Sequence, residues 1–480
     1  MAAGLGTRMR SRRAKVLHEL AGVPLIQYPL RILNAVGAKP IVVVVGHQAE
    51  EVMACCGGAQ FAQQREPRGT GDAVRCVDSL RRFPGDVLIL PSDLPLLRSE
   101  TLHALVAAHR QAKAALSLLT ATVADPHGFG RVMRRNGHIV QVVEQRDATA
   151  EQDAIREVNV GVYCADAAFV FGAIDRLQPN NAQGELYLTD IVAQAAEATL
   201  PIADASVAAI DVMQVSSRAD LAGISAVLRK RLAEHWMANG VTLEDPETTY
   251  IGPDVTIGGD SLIGPDVILR GKTQIGADCV LDGSARLVDV IIGNSVHVKF
   301  GVVATESRIG DRCLVGPFAQ LRPGTHLAAD VHIGDFVETK NAIIGAGTKA
   351  NHLAYIGDAE IGRDANVGAG TITCNYDGFR KHRTIIGDRV QIGSDSQLIA
   401  PVSVGDDAYV ATGTTVREDV PPGALVYTTK EQRHRLGWVA ARRKREAAAA
   451  SLPRSKSASP STKRSTAARL RRSPAGKKRR

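Results

Sequence analysis

Aromatic residues are scarce in this chain: Phe, Trp and Tyr together make up 4% of 480 residues. A core built on large aromatic clusters is therefore excluded. No run of about 18 apolar residues occurs, so the sequence encodes no transmembrane helix. The first residues lack the charged-then-apolar order of a secretory signal, and the expectation is a soluble cytoplasmic protein with no membrane partner. Seven cysteines (Cys55, Cys56, Cys76, Cys164, Cys279, Cys313, Cys374) are scattered without a CxxC pair. Neither a disulfide framework nor a zinc motif is implied.

Acidic residues are all but missing from the end of the chain. Residues 441–480 hold 15 Lys and Arg against the single acid Glu446, whereas residues 1–440 hold 43 basic and 49 acidic residues. The net charge of +8 therefore belongs to the tail, and the body gives no nucleic-acid signal. With so few apolar residues the tail cannot fold alone. It reads as a disordered basic segment, either simply solvated or making non-specific contacts with a polyanion.

What is present divides into two patterns. Over residues 1–217, β-branched runs at 41–45, 87–90 and 116–123 alternate with helical stretches such as 99–112, which argues for a Rossmann-like α/β domain with a parallel sheet. Residues 218–240 place Leu221, Ile224, Leu228 and Leu232 at helical spacing, as a connecting helix does. From 241 to 440 the period becomes six: Ile386, Ile392, Leu398, Val404, Val410 and Val416 recur without interruption. One inward aliphatic per six residues, with glycine at many corners among the chain's 45, specifies a left-handed parallel β-helix. The stretches 321–327 and 374–384 fall out of register and read as loops extruded from the coil.

The opening Met-Ala-Ala-Gly-Leu-Gly-Thr-Arg-Met supplies small residues where backbone must approach a phosphate, followed by Arg8. Lys15, the Gly-turn Arg68-Gly69-Thr70-Gly71 and Leu90-Pro91-Ser92-Asp93 follow. Ligands of α/β sheets sit at the carboxyl ends of strands, where Asp93 would hold Mg²⁺; the other reading of Asp93 is a helix N-cap before Pro95.

In this order the pieces resemble the sugar-nucleotidyltransferase family. The whole of residues 1–440 resembles, more closely, the bifunctional bacterial N-acetylglucosamine-1-phosphate uridylyltransferase/glucosamine-1-phosphate acetyltransferases. Motifs at 46–50 (GHQAE), 64–73 (QREPRGTGDA), 127–132 (HGFGRV), 142–149 (VVEQRDAT), 159–163 (NVGVY) and 180–190 (NNAQGELYLTD) carry it. The resemblance implies that Ala2, Ala3, Gly4, Lys15, Gln64, Gly69, Thr70, Asp93, Gly130, Glu144 and Asn159 contact the uridine nucleotide and its sugar, with UTP as co-substrate. Three departures are visible. The chain starts at the Ala-Ala-Gly turn, so either the start is misassigned or the sheet lacks its first strand. Ser92 replaces the glycine before the metal aspartate, and Val215-Ser216-Ser217 stands where the family supplies a metal-binding asparagine.

Acetyl transfer from a thioester to an amine needs a base, oxyanion donors and cations for the sugar phosphate. His352 is the natural base at neutral pH, although a lone histidine in a β-helix is more often structural. Residues 316–319 (GPFA) and 368–378 (GAGTITCNYDG) match the family. By that resemblance His352 is catalytic, and Arg322, Lys340, Tyr355, Asn366 and Lys381 hold the sugar phosphate. Ala369, Asn375, Tyr376, Ser394, Thr412 and Lys430 would meet acetyl-CoA. Asn351, Thr412 and the Thr429-Lys430 pair depart from the family's usual residues. A homotrimer is also implied, with sites between neighbouring coils and Trp438 packed against a second subunit or capping its own coil.

Three other readings stay open at this point. One is an acetyltransferase whose N-terminal lobe is impaired or only binds. Another is a β-helix trimer that binds zinc through interfacial histidines as a carbonic anhydrase, with His297, His326, His332 and His352 as the candidates. The last is a purely structural or nucleic-acid-binding scaffold, which rests on the basic tail.

Overall fold

The structure, a computed structural model, describes residues 1–429 and 431–450. In the N-terminal lobe, besides a short antiparallel hairpin of Glu19–Leu20 and Val23–Pro24, the strands are β1 (Val42–Val45), β2 (Gln60–Gln63), β3 (Asp86–Ile89), β4 (Leu116–Thr122), β5 (Gly130–Arg135), β6 (His138–Val143), β7 (Glu157–Asp166) and β8 (Ile202–Ser206). The helices used below are α1 (Gln27–Ala35), α2 (Ala49–Ala54), α3 (Thr70–Arg75), α4 (Ser99–Ala112), α5 (Ala167–Asp175), α6 (Asp190–Glu197) and α7 (Arg218–Ala238). The expected runs at 41–45, 87–90 and 116–123 are strands within a residue of their boundaries, and 99–112 is a helix throughout.

The sheet is mixed rather than parallel. Six strands run in the order β8-β4-β7-β5-β6, with β3 also on β7. The ten-residue β7 lies antiparallel to β3, β4 and β5, a long-range pairing that local periodicity does not report. Strands β1 and β2 form a separate parallel pair. Among the described residues no strand joins the β1–β2 pair to the six-stranded sheet. Instead Ala2 N donates to Val44 O at 2.8 Å and the Met1 amino group donates to Leu90 O at 2.8 Å. Burial pushes that amino group down to about 6, against the pull of the nearby Asp93 carboxylate.

Helix α7 is capped by Ser217, whose hydroxyl accepts from Asp220 N while Asp220 returns the bond to Ser217 N. This reciprocal box satisfies two otherwise orphaned donors. Beyond it the chain forms the left-handed parallel β-helix expected from the repeat, three faces of short strands each paired parallel one coil on. Ile386, Ile392, Leu398, Val404, Val410 and Val416 all point inward and are at most 2% exposed. Gly258 shows why a side chain is refused at such corners: a Cβ there would sit 2.5 Å from Ala277 N. Corner carboxylates and amides such as Asp289, Asn294, Asp311 and Asp406 accept backbone N–H groups one coil below. The lobes also meet through Arg31, whose guanidinium lies 2.7 Å from Asp254.

Of the two expected loops, 374–384 leaves the coil but 321–327 does not. Leu321, Leu327 and Ile333 keep the six-residue period and are buried, with Gly324 turning the corner at φ 80°. Residues 441–450, expected to be disordered, belong to α8 (Trp438–Ala450). The alanine run favours helix, and Arg442 faces Glu446 one turn on at 3.9 Å. The rest of the basic tail, 451–480, and Lys430 lie outside the described residues.

Candidate active sites in two lobes

In the N-terminal lobe, Lys15 Nζ lies 2.5 Å from Asp93 Oδ2. The other carboxylate oxygen, Oδ1, is buried without a partner. No helix starts at Asp93, since α4 begins at Ser99, so the N-cap reading fails. A buried carboxylate oxygen without a protein partner suits a hard cation. The segment carrying Ser216 runs alongside, with Val215 N donating to Asp93 O at 3.0 Å.

The other expected residues close a ring around the same end of the sheet. Ala2 bridges to Val45, whose carbonyl accepts from Gln64 N at 2.9 Å. The Gln64 amide donates to Gly69 O at 3.1 Å and to Asp72 Oδ2 at 2.9 Å. Gly69 has φ 109°, and a Cβ on it would stand 2.5 Å from Leu186 O, so only glycine fits. Leu188 N then donates to the Thr70 hydroxyl at 3.0 Å, and the neighbouring Thr189 hydroxyl donates to Glu144 Oε1 at 3.0 Å. Glu144 approaches Gly130, whose backbone pairs with Asn159. Asn159 Nδ2 donates to the Tyr163 hydroxyl at 2.7 Å. Gly161 returns the ring to Pro91, two residues from Asp93. Burial raises the Glu144 carboxyl above its ordinary range, partly offset by the Thr189 bond. Gly4 is exposed. Thr189 was missed by sequence reasoning although it lies in the motif at 180–190.

In the β-helix, His352 stacks directly on Asp335 one coil earlier, and Nδ1 lies 2.5 Å from Asp335 Oδ1. Asp335 was not foreseen; the signal available was the spacing of 17, which recurs between stacked residues through this stretch. The next column of the coil carries Glu338 and Tyr355, and Arg322 NH1 reaches Glu338 Oε1 at 2.7 Å. Two residues further, Lys340 meets Lys381 from the 374–384 loop, and the adjacent ammonium holds the Lys340 pKa below the usual lysine range. Two cations forced together make a receptor for a multiply charged anion.

Beneath them lies Asp358, a buried carboxylate that accepts from Asn341 Nδ2 at 2.7 Å and Asn375 Nδ2 at 2.5 Å. Those bonds fix which way the Asn375 amide points. The loop folds back through a Tyr376–Lys381 bridge. Asp377 ties it, accepting from Arg380 N, His382 and Phe379 N, and is held down to about 2. Ala369, Ser394 and Thr412 form a column along one corner: Asp395 N donates to Ala369 O, and Gly413 N to Ser394 O. Asn366 stacks on Lys349, which opens the strand that ends at His352, so it lies on the same face of the coil as His352 and Asp335. Among the described residues of the single chain His297, His326, His332 and His352 form no three-ligand cluster.

A nucleotidyltransferase-like lobe joined by a helix to a hexapeptide β-helix defines a two-site transferase. Residues 1–156 match the MobA-like NTP transferase domain, and residues 383–418 match the bacterial transferase hexapeptide (six repeats). Over 444 residues the chain is 48% identical to the bifunctional protein GlmU of Pelobacter propionicus, covering 91% of this chain and 96% of that one. It is 47% identical to the GlmU of Trichlorobacter lovleyi, covering 91% and 96%, and 49% identical to that of an Anaeromyxobacter species, covering 93% of each. The chain belongs to the GlmU family of bifunctional proteins. No helix among the described residues is long and apolar enough to cross a membrane.

Proposed function

We propose that the chain acetylates glucosamine-1-phosphate with acetyl-CoA in the β-helix and then joins the product to UMP from UTP in the N-terminal lobe, releasing pyrophosphate. The observation that carries this is the presence in one chain of two complementary constellations. One is Lys15 on Asp93 with an orphaned buried oxygen; the other is His352 on Asp335, one corner from the Lys340–Lys381 pair. The binding-only alternative for the N-terminal lobe gains no support from the family comparison.

In the β-helix, Asp335 accepts from the Nδ1–H of His352, which leaves Nε2 as the base. Nε2 takes the proton from the substrate ammonium, the freed nitrogen attacks the thioester carbonyl, and the carbon–sulfur bond breaks to release CoA. Arg322, Lys340 and Lys381 hold the sugar phosphate, with Tyr355 beside them, while Asn375, Tyr376 and the Ala369–Ser394–Thr412 column face acetyl-CoA; Lys430 belongs to the same assignment. Asn366, on the face that carries His352, joins the sugar-phosphate set, and the hexapeptide repeat supports an oligomer, here a homotrimer in which a neighbouring coil completes the site.

In the N-terminal lobe, Asp93 Oδ1, with Ser216 alongside, would hold Mg²⁺, which when bound neutralises phosphate charge. Lys15 and the Ala2–Gly4 turn orient the phosphates, Gln64, Gly69 and Thr70 the base, and Gly130, Glu144 and Asn159 the sugar. The phosphate oxygen of N-acetylglucosamine-1-phosphate attacks the α-phosphorus of UTP as the bond to the β-phosphate breaks. The deciding assays are CoA release and pyrophosphate release on the same preparation. His352→Ala is expected to lower only the first, by about 10²–10⁴-fold, and Asp93→Ala only the second. If either variant silences both reactions, or neither reaction runs, the assignment fails.

A further inference from the structure

Away from both sites, at the opposite end of β3 from Asp93, three metal-ligating side chains converge. Asp86 opens β3, His109 lies in the last turn of α4 and Cys164 lies in β7. Cys164 pairs across the sheet with Leu88 and with Ser117 of β4. Side chains alternate along a strand, so Asp86, Ser117 and Cys164 project from the same face, the one that α4 covers. One carboxylate oxygen, one imidazole nitrogen and the thiol sulfur all lie within 4.8 Å of one another.

The surroundings favour a ligand rather than a chance cluster. His109 is 3% exposed and Cys164 is fully buried. The Ser117 hydroxyl, 2.8 Å from His109 Nδ1, fixes the ring so that Nε2 turns toward the other two groups. Nε2 and Asp86 Oδ1 stand 3.3 Å apart, a long contact for a hydrogen bond. The Cys164 thiol makes no hydrogen bond among the described residues, whereas the buried Cys279 and Cys313 each donate to a carbonyl. Arg110 Nε stands 4.0 Å from the second Asp86 oxygen.

We propose that Asp86, His109 and Cys164 form a site for a single borderline-soft divalent cation of the Zn²⁺ class, clipping β3, α4 and β7 together. Carboxylate, imidazole and thiolate are the ligand types this class selects. Bonds of about 2.0–2.3 Å to a tetrahedral ion place ligand atoms roughly 3.5 Å apart, so His109 Nε2 and Asp86 Oδ1, 3.3 Å apart, need little change and the thiol sulfur closes by at most about an ångström. The sulfur–metal bond forms as the thiol proton leaves to solvent, and a water takes the fourth position on the Asp86 side. Ser117 orients the imidazole as an outer partner. Magnesium, which prefers oxygen ligands, is not a competitor here.

The test titrates the full-length, metal-stripped protein with Co²⁺ in the presence of excess Mg²⁺. One Co²⁺ per chain is expected, with thiolate-to-cobalt charge-transfer absorption that Zn²⁺ displaces and Cys164→Ser removes. Ser117→Ala should weaken binding about 10–100-fold. Because Cys164 is buried and its replacement can disturb the fold, Asp86→Asn at the partly exposed ligand provides the second measurement, with at least tenfold weaker binding expected. Absence of the charge-transfer band, a band that survives Cys164→Ser, or an unchanged affinity in Asp86→Asn would overturn the site and leave His109 as a buried hydrogen-bonded histidine.

Discussion

At the scale of single residues, the chemistry depends on pairs that hold one another in an unusual state. Asp335 fixes the tautomer of His352, so Asp335→Asn is expected to lower the turnover of acetyl transfer about tenfold while leaving KM for acetyl-CoA unchanged. A change confined to KM would instead make Asp335 a binding residue. Glu144 presents the opposite electrostatic case. Its carboxyl is raised by burial, so its charge opposes folding once the pH rises above the unfolded value, and the penalty is complete above the folded value. Glu144→Gln should therefore raise the melting temperature of the ligand-free protein near pH 7.5. The gain should vanish below about pH 4, where the native side chain is neutral in both states. The same substitution should weaken uridylyl transfer by about tenfold or more, since a charged acceptor for the sugar is lost. A melting temperature that falls at pH 7.5 would refute this account.

At the scale of elements, the β-helix is governed by the approach of one coil to the next. Adjacent glycines test this directly. A Cβ on Gly258 would meet backbone at 2.5 Å, whereas on Gly259 it would meet nothing within 4 Å. Gly258→Ala should cost about 1–3 kcal/mol and Gly259→Ala less than about 0.5 kcal/mol, measured by denaturant unfolding. Equal costs would mean that coil spacing is not what excludes side chains here. The connecting helix α7 offers a local counterpart, because Ser217→Ala removes one arm of its capping box and should cost about 1 kcal/mol.

At the scale of the whole molecule, the two constellations lie in separate lobes and use different chemistry. The N-terminal site centres on a carboxylate oxygen without a protein partner, and the β-helix site on an imidazole base and cationic side chains. Chelating divalent cations with EDTA should therefore stop pyrophosphate release by at least about 10²-fold and leave CoA release within twofold. If chelation slows both equally, the acetyl-transfer step also depends on a metal and the roles given to Lys340 and Lys381 need revision.

The sequence by itself determined the features that repeat locally. A six-residue period places one aliphatic inward per side of a triangular coil, and Ser217 with Asp220 starts α7, because both depend only on neighbours a few residues away. The motifs around Lys15, Gly69 and Asp93 likewise carry the proposed phosphate site. Tertiary structure alone decided the rest. The antiparallel path of β7 made the sheet mixed, and the stacking of residues 17 apart brought Asp335 under His352. The excursion at 374–384 carried Lys381 onto Lys340, while the coil's own geometry put Asn366 on the face that carries His352. These juxtapositions depend on how many residues each turn of the coil and each loop contains, and so on contacts between segments far apart in the chain.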